Sequence, residues 1–336
     1  MSSRGCLLSG VALNEQLIDC LADGRFHSGE ELGRVMGLSR AAIWKHIQHL
    51  QDEGLAVESV RGQGYRVPGG IELLRESAIR GHGGKALESL ELIIFTETDS
   101  TNAQALVRAR QPMERPLAVL AERQTAGRGR RGRAWQSPLG RNLYLSLAVP
   151  FPFGGSGLEG LSLVAGLAVA SALDRLGLPQ PVGLKWPNDL WIGGRKVGGI
   201  LIELAGDLDA ASVAVIGVGL NLAPLPDQAA AAVDQPWTDL ESELGARPAR
   251  NRLVASVLDA LWEHCQRFAE SGFAPFQSAW QSADVLAGGQ VTVWLGDQAS
   301  QGKCLGVSAR GALRVNIDGE DREFHGGEVT LREAGK

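Results

Sequence analysis

Residues Pro116–Pro150 read PLAVLAERQTAGRGRRGRAWQSPLGRNLYLSLAVP. The two ends, PLAVLAER and NLYLSLAVP, have the alternation and the β-branched or aromatic content that suit strands of one sheet. Between them Gly127–Arg133, GRGRRGR, interleaves glycine with arginine. Glycine tolerates backbone angles that other residues avoid, and the guanidinium fork grips a carboxylate or phosphate through two parallel hydrogen bonds. A long cationic loop joining two strands at a sheet end reads as a mobile lid over an anion. Six arginines and no Asp or Glu lie between Arg123 and Arg141, in a chain of net charge -5, so the expected partner is a small anion and not a polyanion. A basic run is more often a solvated surface or a nucleic-acid patch; its place between two strands argues for the lid. The spacing G-x-x-x-x-G-K-[ST] is absent, which disfavours a P-loop NTPase.

Working outward, ELIIFTE, VGLKWP, DLWIGG, KVGGILIEL and SVAVIGVGLNL read as further strands, with helices near 101–110, 158–177 and 250–270. Grouped strands with few intervening helices favour an α+β sheet over a doubly wound one. This central unit spans 71–283. From 284 to 334 the pattern changes to four short strands, VTVWL, GKCLGVS, ALRVNI and GEVTLR, between Gly-rich turns, which suits a small closed barrel resembling an SH3 domain. Residues 1–67 form a third unit. Leu13, Leu17, Ile18 and Leu21 recur at helical spacing, Ser28 and Glu31 make a capping box, and Ser39 caps the helix RAAIWKHIQHLQDE. With the hairpin LAVESV–GYRV beside it, this is a winged helix-turn-helix whose second motif helix is the reader. Residues 1–70 carry seven Lys or Arg against eight Asp or Glu, a thin footprint for DNA, although Arg40 and Lys45 lie on the reading helix and Arg61 and Arg66 on the wing. A helical interaction module is the competing reading.

The chain has 336 residues, 44% hydrophobic and 21% charged, as expected of a soluble globular protein. No signal peptide is visible at MSSRGCLLSGVAL, and the longest apolar run, Leu161–Leu173, is shorter than the roughly twenty residues of a membrane span. No membrane partner and a cytoplasmic location are expected. Cys6, Cys20, Cys265 and Cys304 are scattered and indicate neither a disulfide framework nor a zinc site.

Four motifs in order, DSTN (Asp99–Asn102), QTAGRGRRGR (Gln124–Arg133), KWPNDL (Lys185–Leu190) and GRKVGGILIE (Gly194–Glu203), resemble those of biotin-protein ligases, and the first unit resembles that of the bifunctional kind that also represses biotin genes. The resemblance covers nearly the whole chain. It implies a central domain of the class II synthetase, biotinyl-lipoyl ligase-like fold, with ATP and biotin as substrates and Mg²⁺ at the triphosphate. The implied partners are the biotin carboxyl carrier domain of acetyl-CoA carboxylase, biotin operator DNA, and a second copy of the chain when biotinyl-AMP is bound.

The resemblance implies catalytic roles for Lys185 and Arg130. Ser100, Thr101, Asn102, Gln124, Arg128, Gly129, Arg130 and Lys185 would bind biotin, and Arg131, Arg133, Trp135, Asn188 and Asn221 the nucleotide. Ser39, Arg40, Lys45 and Arg61 would touch DNA, and the metal ligands are unassigned. Plainer roles compete: Asp99 or Ser100 as a helix N-cap, Asn188 and Asp189 as a turn after Pro187, the glycines of KVGG and VGVG as strand packing. A small polar residue is implied where Trp44 stands, which leaves the operator sequence open. A DNA-binding biotin sensor without catalysis and a lipoate or octanoate transferase are the alternatives in function. The intact arginine lid and Lys185 favour the ligase.

Overall fold

The computed structural model describes residues 10–206, 211–295, 298–325 and 329–333; the first nine residues, Cys6 among them, and residue 334 lie outside them. Helices Gly10–Leu21, Gly29–Met36 and Arg40–Asp52 and the hairpin Glu58–Val60/Gly64–Arg66 build the first unit. Ser28 and Ser39 cap the second and third helices, each hydroxyl accepting the N–H three residues on, from Glu31 at 3.0 Å and Ala42 at 3.2 Å. The turn between these helices is tight: a Cβ on Gly33 would stand 2.5 Å from the Leu38 carbonyl oxygen, and Gly37 adopts φ 68°, which glycine takes without strain. Leu17, Ile18, Leu32, Ile43, Ile47 and Leu50 form the core of this unit, joined by Leu139 from the central chain.

The central sheet has seven strands in the order Glu91–Thr98, Leu117–Gln124, Leu143–Phe151, Ser212–Leu220, Arg195–Gly206, Asp189–Ile192, Gly183–Lys185. Its first pair is parallel and all others antiparallel, the mixed sheet of an α+β fold. Alternation sends Ala118 and Leu120 into the core with helices Leu161–Asp174 and Arg250–Ser271, while Leu117 and Val119 pack with Ala105 and Ala109 of helix Thr101–Ala109 on the opposite face. Both faces are covered, so Leu117–Gln124 and Leu143–Phe151 are buried along most of their length and lack the alternation expected of them. The stretch 155–174 is long and apolar enough to cross a membrane by composition, but most of it is buried, as in the core helix of a folded domain.

Arg250 lies fully inside, its guanidinium 2.7 Å from Glu122 Oε2 and donating to the Glu72 and Asn142 carbonyls at 2.7 and 3.0 Å. It ties the segment leaving the winged unit to the strand that ends at Gln124.

The last unit is a five-stranded antiparallel sheet ordered Glu320–Phe324, Leu313–Ile317, Gln298–Val307, Gln290–Leu295, Val329–Glu333, consistent with an SH3-like barrel. Four strands were expected; the fifth, EDREF, is charged at four of its five positions and shows no alternation of apolar residues. Residues 327 and 328 of the GEVTLR run lie outside the described residues. Cys20, Cys265 and Cys304 are all free thiols.

Candidate active site

The site begins where helix Thr101–Ala109 starts above the sheet. Ser100 is the N-cap residue, but its side chain makes no capping bond. Asp99 Oδ1 instead accepts from Ser100 N at 2.6 Å and from Gln104 Nε2 at 2.9 Å; the Gln104 bond in particular holds this carboxyl below its ordinary pKa. The first helical N–H, that of Thr101, is satisfied by Gln124 Oε1 at 2.8 Å from the neighbouring strand end. A helix end closed by a remote side chain is also a pocket wall, since those groups face whatever lies above the sheet.

Thr101, Asn102, Gln124 and Ser146 form one polar cluster. Asn102 donates to Glu203 Oε2 at 2.9 Å, and its Oδ1 lies 2.5 Å from Ser146 Oγ. Ser146 Oγ is also 2.7 Å from Thr101 Oγ1, so its single proton serves one neighbour at a time. Gln124 Nε2 donates to Ser137 Oγ at 3.1 Å. Glycine makes the packing possible: a Cβ on Gly217 would stand 2.3 Å from Asn102 Oδ1, and one on Gly219 2.6 Å from the Trp135 ring.

Above this floor the segment 127–135 folds back on itself. Arg128 bridges Ala134, Gly129 N donates to the Arg133 carbonyl at 2.7 Å, and Trp135 N donates to that of Gly127 at 2.9 Å. Arg131 sits at φ 56° in the left-handed region, a conformation costing a non-glycine residue about 1 kcal/mol or more. The cationic loop is thus a compact hydrogen-bonded turn. Arg128 reaches Glu203 at 3.1 Å. Burial and then the neighbouring Arg131 charge lower the pKa of Arg130, against the opposing pull of Asp189.

Two chambers meet at the lid. A narrow one of about 60 Å³ is lined by Ser100–Asn102, Gln124, Arg128, Trp135, Lys196 and the glycines of the facing strands. A wider one of about 320 Å³ is lined by Arg133, Trp135, Lys196, Asn221, Leu225, Val233 and Trp237. Trp135 and Lys196 belong to both walls. Lys196 Nζ lies 2.7 Å from Asp189 Oδ1 and 5.8 Å from the centre of the Trp135 ring.

The structure brings Ser100, Thr101, Asn102, Gln124, Arg128 and Trp135 to one chamber and Arg133, Trp135 and Asn221 to the other. The ammonium of Lys185 lies over the Trp191 ring, 4.3 Å from its centre. The Asn188 amide donates to the Ile200 carbonyl at 2.7 Å, as a residue fastening the KWPND turn to the next strand would. Asn221 donates to the Thr238 carbonyl at 3.0 Å while lining the wide chamber. The Trp186–Pro187 bond is cis, and Trp186 Nε1 donates to the Gly311 carbonyl of the last unit at 3.0 Å.

Three participants were not singled out from the sequence: Lys196, Glu203 and Ser146. Lys196 and Glu203 lie inside the GRKVGGILIE motif, and Ser146 is the one serine in the apolar run LYLSLAVPF. Those were the available signals.

On the winged unit, Ser39, Arg40, Lys45 and Arg61 are all exposed. Ser39 uses its hydroxyl as a cap, whereas Arg66 is held by Glu58 at 2.7 Å and lies over the Phe26 ring.

The family described as "Biotin/lipoate A/B protein ligase family" matches residues 93–221, and a helix-turn-helix family matches residues 14–66. The chain is 41% identical to the bifunctional ligase/repressor BirA of Escherichia coli K12 over 96% of its own length and 98% of that protein. It is 35% identical to the biotin–[acetyl-CoA-carboxylase] ligase of Paracoccus denitrificans over 66% of the chain and 92% of that protein. Among solved structures, the Aquifex aeolicus biotin protein ligase in complex with biotin and ATP superposes with a TM-score of 0.62 at 30% identity, covering 73% of this chain and 99% of that one. With the mixed sheet, the two-chambered cleft and the N-terminal winged unit, these matches establish that the chain belongs to the bifunctional ligase/repressors of the biotin/lipoate A/B protein ligase family.

Proposed function

We propose that the chain activates biotin with ATP to biotinyl-5'-AMP, transfers biotin to a lysine of the biotin carboxyl carrier domain of acetyl-CoA carboxylase, and represses biotin genes when the adenylate is bound. The observation that carries this reading is the Lys196–Asp189 pair at the partition between the chambers, under the arginine lid. The narrow chamber offers paired donors and acceptors, which a neutral ureido ring requires when buried. Ser100, Thr101, Asn102 and Gln124 take that ring. The wide chamber, with Trp135, Arg133 and Asn221, takes the nucleotide, and Arg131 reaches its phosphates. Biotin's carboxylate then meets the α-phosphate at Lys196.

In the first step a carboxylate oxygen bonds to the α-phosphorus, the bond from phosphorus to the bridging oxygen breaks, and pyrophosphate leaves. Lys196, Arg128 and Arg130 put positive charge where two anions must approach, and in a site shielded from water that charge acts strongly. Lys185 adds its charge from beside Trp191, and Gly129 lets the lid backbone follow the carboxylate. In the second step the acceptor amine attacks the acyl carbon, the acyl–oxygen bond to phosphate breaks, AMP leaves, and the amine gives up its proton. Asn188 acts by fixing the turn that carries Asp189.

Mg²⁺ would arrive on the triphosphate. No group of three or more His, Cys, Asp or Glu side chains suited to a metal gathers among the described residues, and Asp189 is already paired with Lys196. The triphosphate would hold the ion, with at most one or two side chains, as is common for Mg²⁺, and the ion would offset the charge of the leaving pyrophosphate.

DNA binding falls to residues 1–67 and the chemistry to 71–283, with 284–333 abutting the KWPN turn through Gly311. Ser39, Arg40, Lys45 and Arg61 face operator DNA, and two adenylate-loaded copies pair to read a palindrome. Both activities belong in the cytoplasm, where ATP and DNA are together. The purified chain incubated with ATP, Mg²⁺ and either biotin or lipoate, then assayed for acyl-adenylate by mass, tests the enzymatic reading. Biotinyl-AMP is expected; lipoyl-AMP in its place, or no adenylate, refutes it.

A further inference from the structure

We propose that Trp44 reads a base in the operator, packing its indole on the C5 methyl group of a thymine in the major groove. Helix Arg40–Asp52 buries Ile43, Ile47 and Leu50 against its own unit. On the opposite face Arg40, Ala41, Trp44, Lys45 and Gln48 are exposed. Trp44 is 52% exposed, and it makes no hydrogen bond or ring contact with a described residue. The core of the unit is complete without it. Leaving that much apolar ring in water gives up burial free energy, which contact with a partner would recover.

Charge identifies the partner. Arg40 lies one turn before Trp44 and Lys45 directly after it, so the indole emerges between two cations that draw phosphates to either side. The unit as a whole carries little positive charge, seven Lys or Arg against eight Asp or Glu in residues 1–70, so sequence-independent attraction is weak and base contacts must supply a larger share of affinity. The indole has an apolar face, one N–H donor and no acceptor. In the major groove thymine alone presents a methyl group, next to the O4 acceptor; cytosine presents an amino donor that tryptophan cannot accept, and adenine an N7 acceptor with an amino donor but nothing apolar. Guanine offers acceptors but nothing apolar. A T·A pair is the match.

The inference rests on the DNA-binding half of the proposed function, and the test separates the two. Full-length protein saturated with biotin and ATP is used to select sites from a randomised duplex library, alongside Trp44→Ala and Trp44→Phe. The native chain should recover an inverted repeat with a fixed thymine in each half-site. Trp44→Ala should lose that preference alone, bind the native site roughly five- to tenfold more weakly per half-site, keep the native preferences at every other position of the site, which reports an intact winged unit, and keep its ligase activity. Trp44→Phe should retain part of the preference. Replacing the thymine by uracil should weaken the native chain by a similar factor and leave Trp44→Ala unaffected. Unchanged preferences in Trp44→Ala, indifference of the native chain to uracil, or a uniform loss across all sequences would overturn the assignment. Failure of the native chain to select any sequence removes operator binding itself, and this role for Trp44 with it.

Discussion

Lys196 Nζ stands 2.7 Å from Asp189 Oδ1, joining the KWPND turn to the strand Arg195–Gly206 at the boundary of the two chambers. Both side chains are largely buried, so the pair fixes position where solvent screening is weak. Asp189→Asn keeps the shape and removes the counter-charge. Adenylation should fall by roughly tenfold to a hundredfold, the scale of a misplaced reacting group, with a smaller change in biotin affinity. Stopped-flow adenylation and equilibrium biotin binding measure the two effects separately, and an equal loss in both would assign Asp189 to binding alone.

The turn over the narrow chamber packs as it does only because Gly127 is small. A Cβ there would stand 2.6 Å from Ser137 Oγ and 2.7 Å from the Trp135 carbonyl oxygen. Gly127→Ala should open the turn, speed release of biotinyl-AMP and allow biotinylation of bystander lysines. Arg130→Ala should do the same by removing charge. A chase of labelled adenylate with excess biotin and ATP reads the rate, and release at the native rate in both variants would remove the lid function.

Gly217→Ala places its methyl carbon 2.3 Å from Asn102 Oδ1. Asn102 must move, and its bonds with Ser146 and Glu203 go with it. Biotin affinity should drop by on the order of tenfold, the cost of about one lost hydrogen bond in a buried polar site. Calorimetric titration checks this, and native affinity would mean that Asn102 is not part of the ring site.

Asp284 sits where the central and last units meet, accepting from Leu286 N at 2.9 Å and facing the Cys304 thiol. Burial, outweighing both contacts, raises its pKa to about 6. The folded chain therefore holds this proton more tightly than the unfolded chain. The associated stability is complete below about pH 4 and is lost as pH rises through about 6, an effect of about 3 kcal/mol. Asp284→Asn should flatten this part of the profile and be the more stable form at pH 8. Denaturant unfolding at pH 5 and pH 8 decides; identical pH slopes in the two chains would mean that Asp284 is ionised in the fold.

The parts of the site legible in the sequence are those that lie close together along the chain. The arginine turn, the DSTN helix start and the KWPND turn are local, and the caps at Ser28 and Ser39 follow from side-chain chemistry alone. Ser146 acquires its role from a neighbour more than forty residues away, as Glu203 does from Asn102 and Arg128. Lys185 and Lys196 are both strand lysines followed by an apolar residue; only the antiparallel pairing of their strands through Asp189–Ile192 shows that one lies against Trp191 and the other between the chambers. The burial of Leu139, just after the lid, in the core of the winged unit is likewise a tertiary fact.

The most direct test is single-turnover formation of biotinyl-AMP by Lys196→Ala beside Lys185→Ala, with biotin affinity measured on the same samples. Lys196→Ala should slow adenylation by on the order of a hundredfold or more, as loss of a group stabilising transition-state charge does, while weakening biotin much less. Lys185→Ala should produce the smaller loss. Near-native adenylation by Lys196→Ala would contradict the placement of the chemistry at the partition between the two chambers.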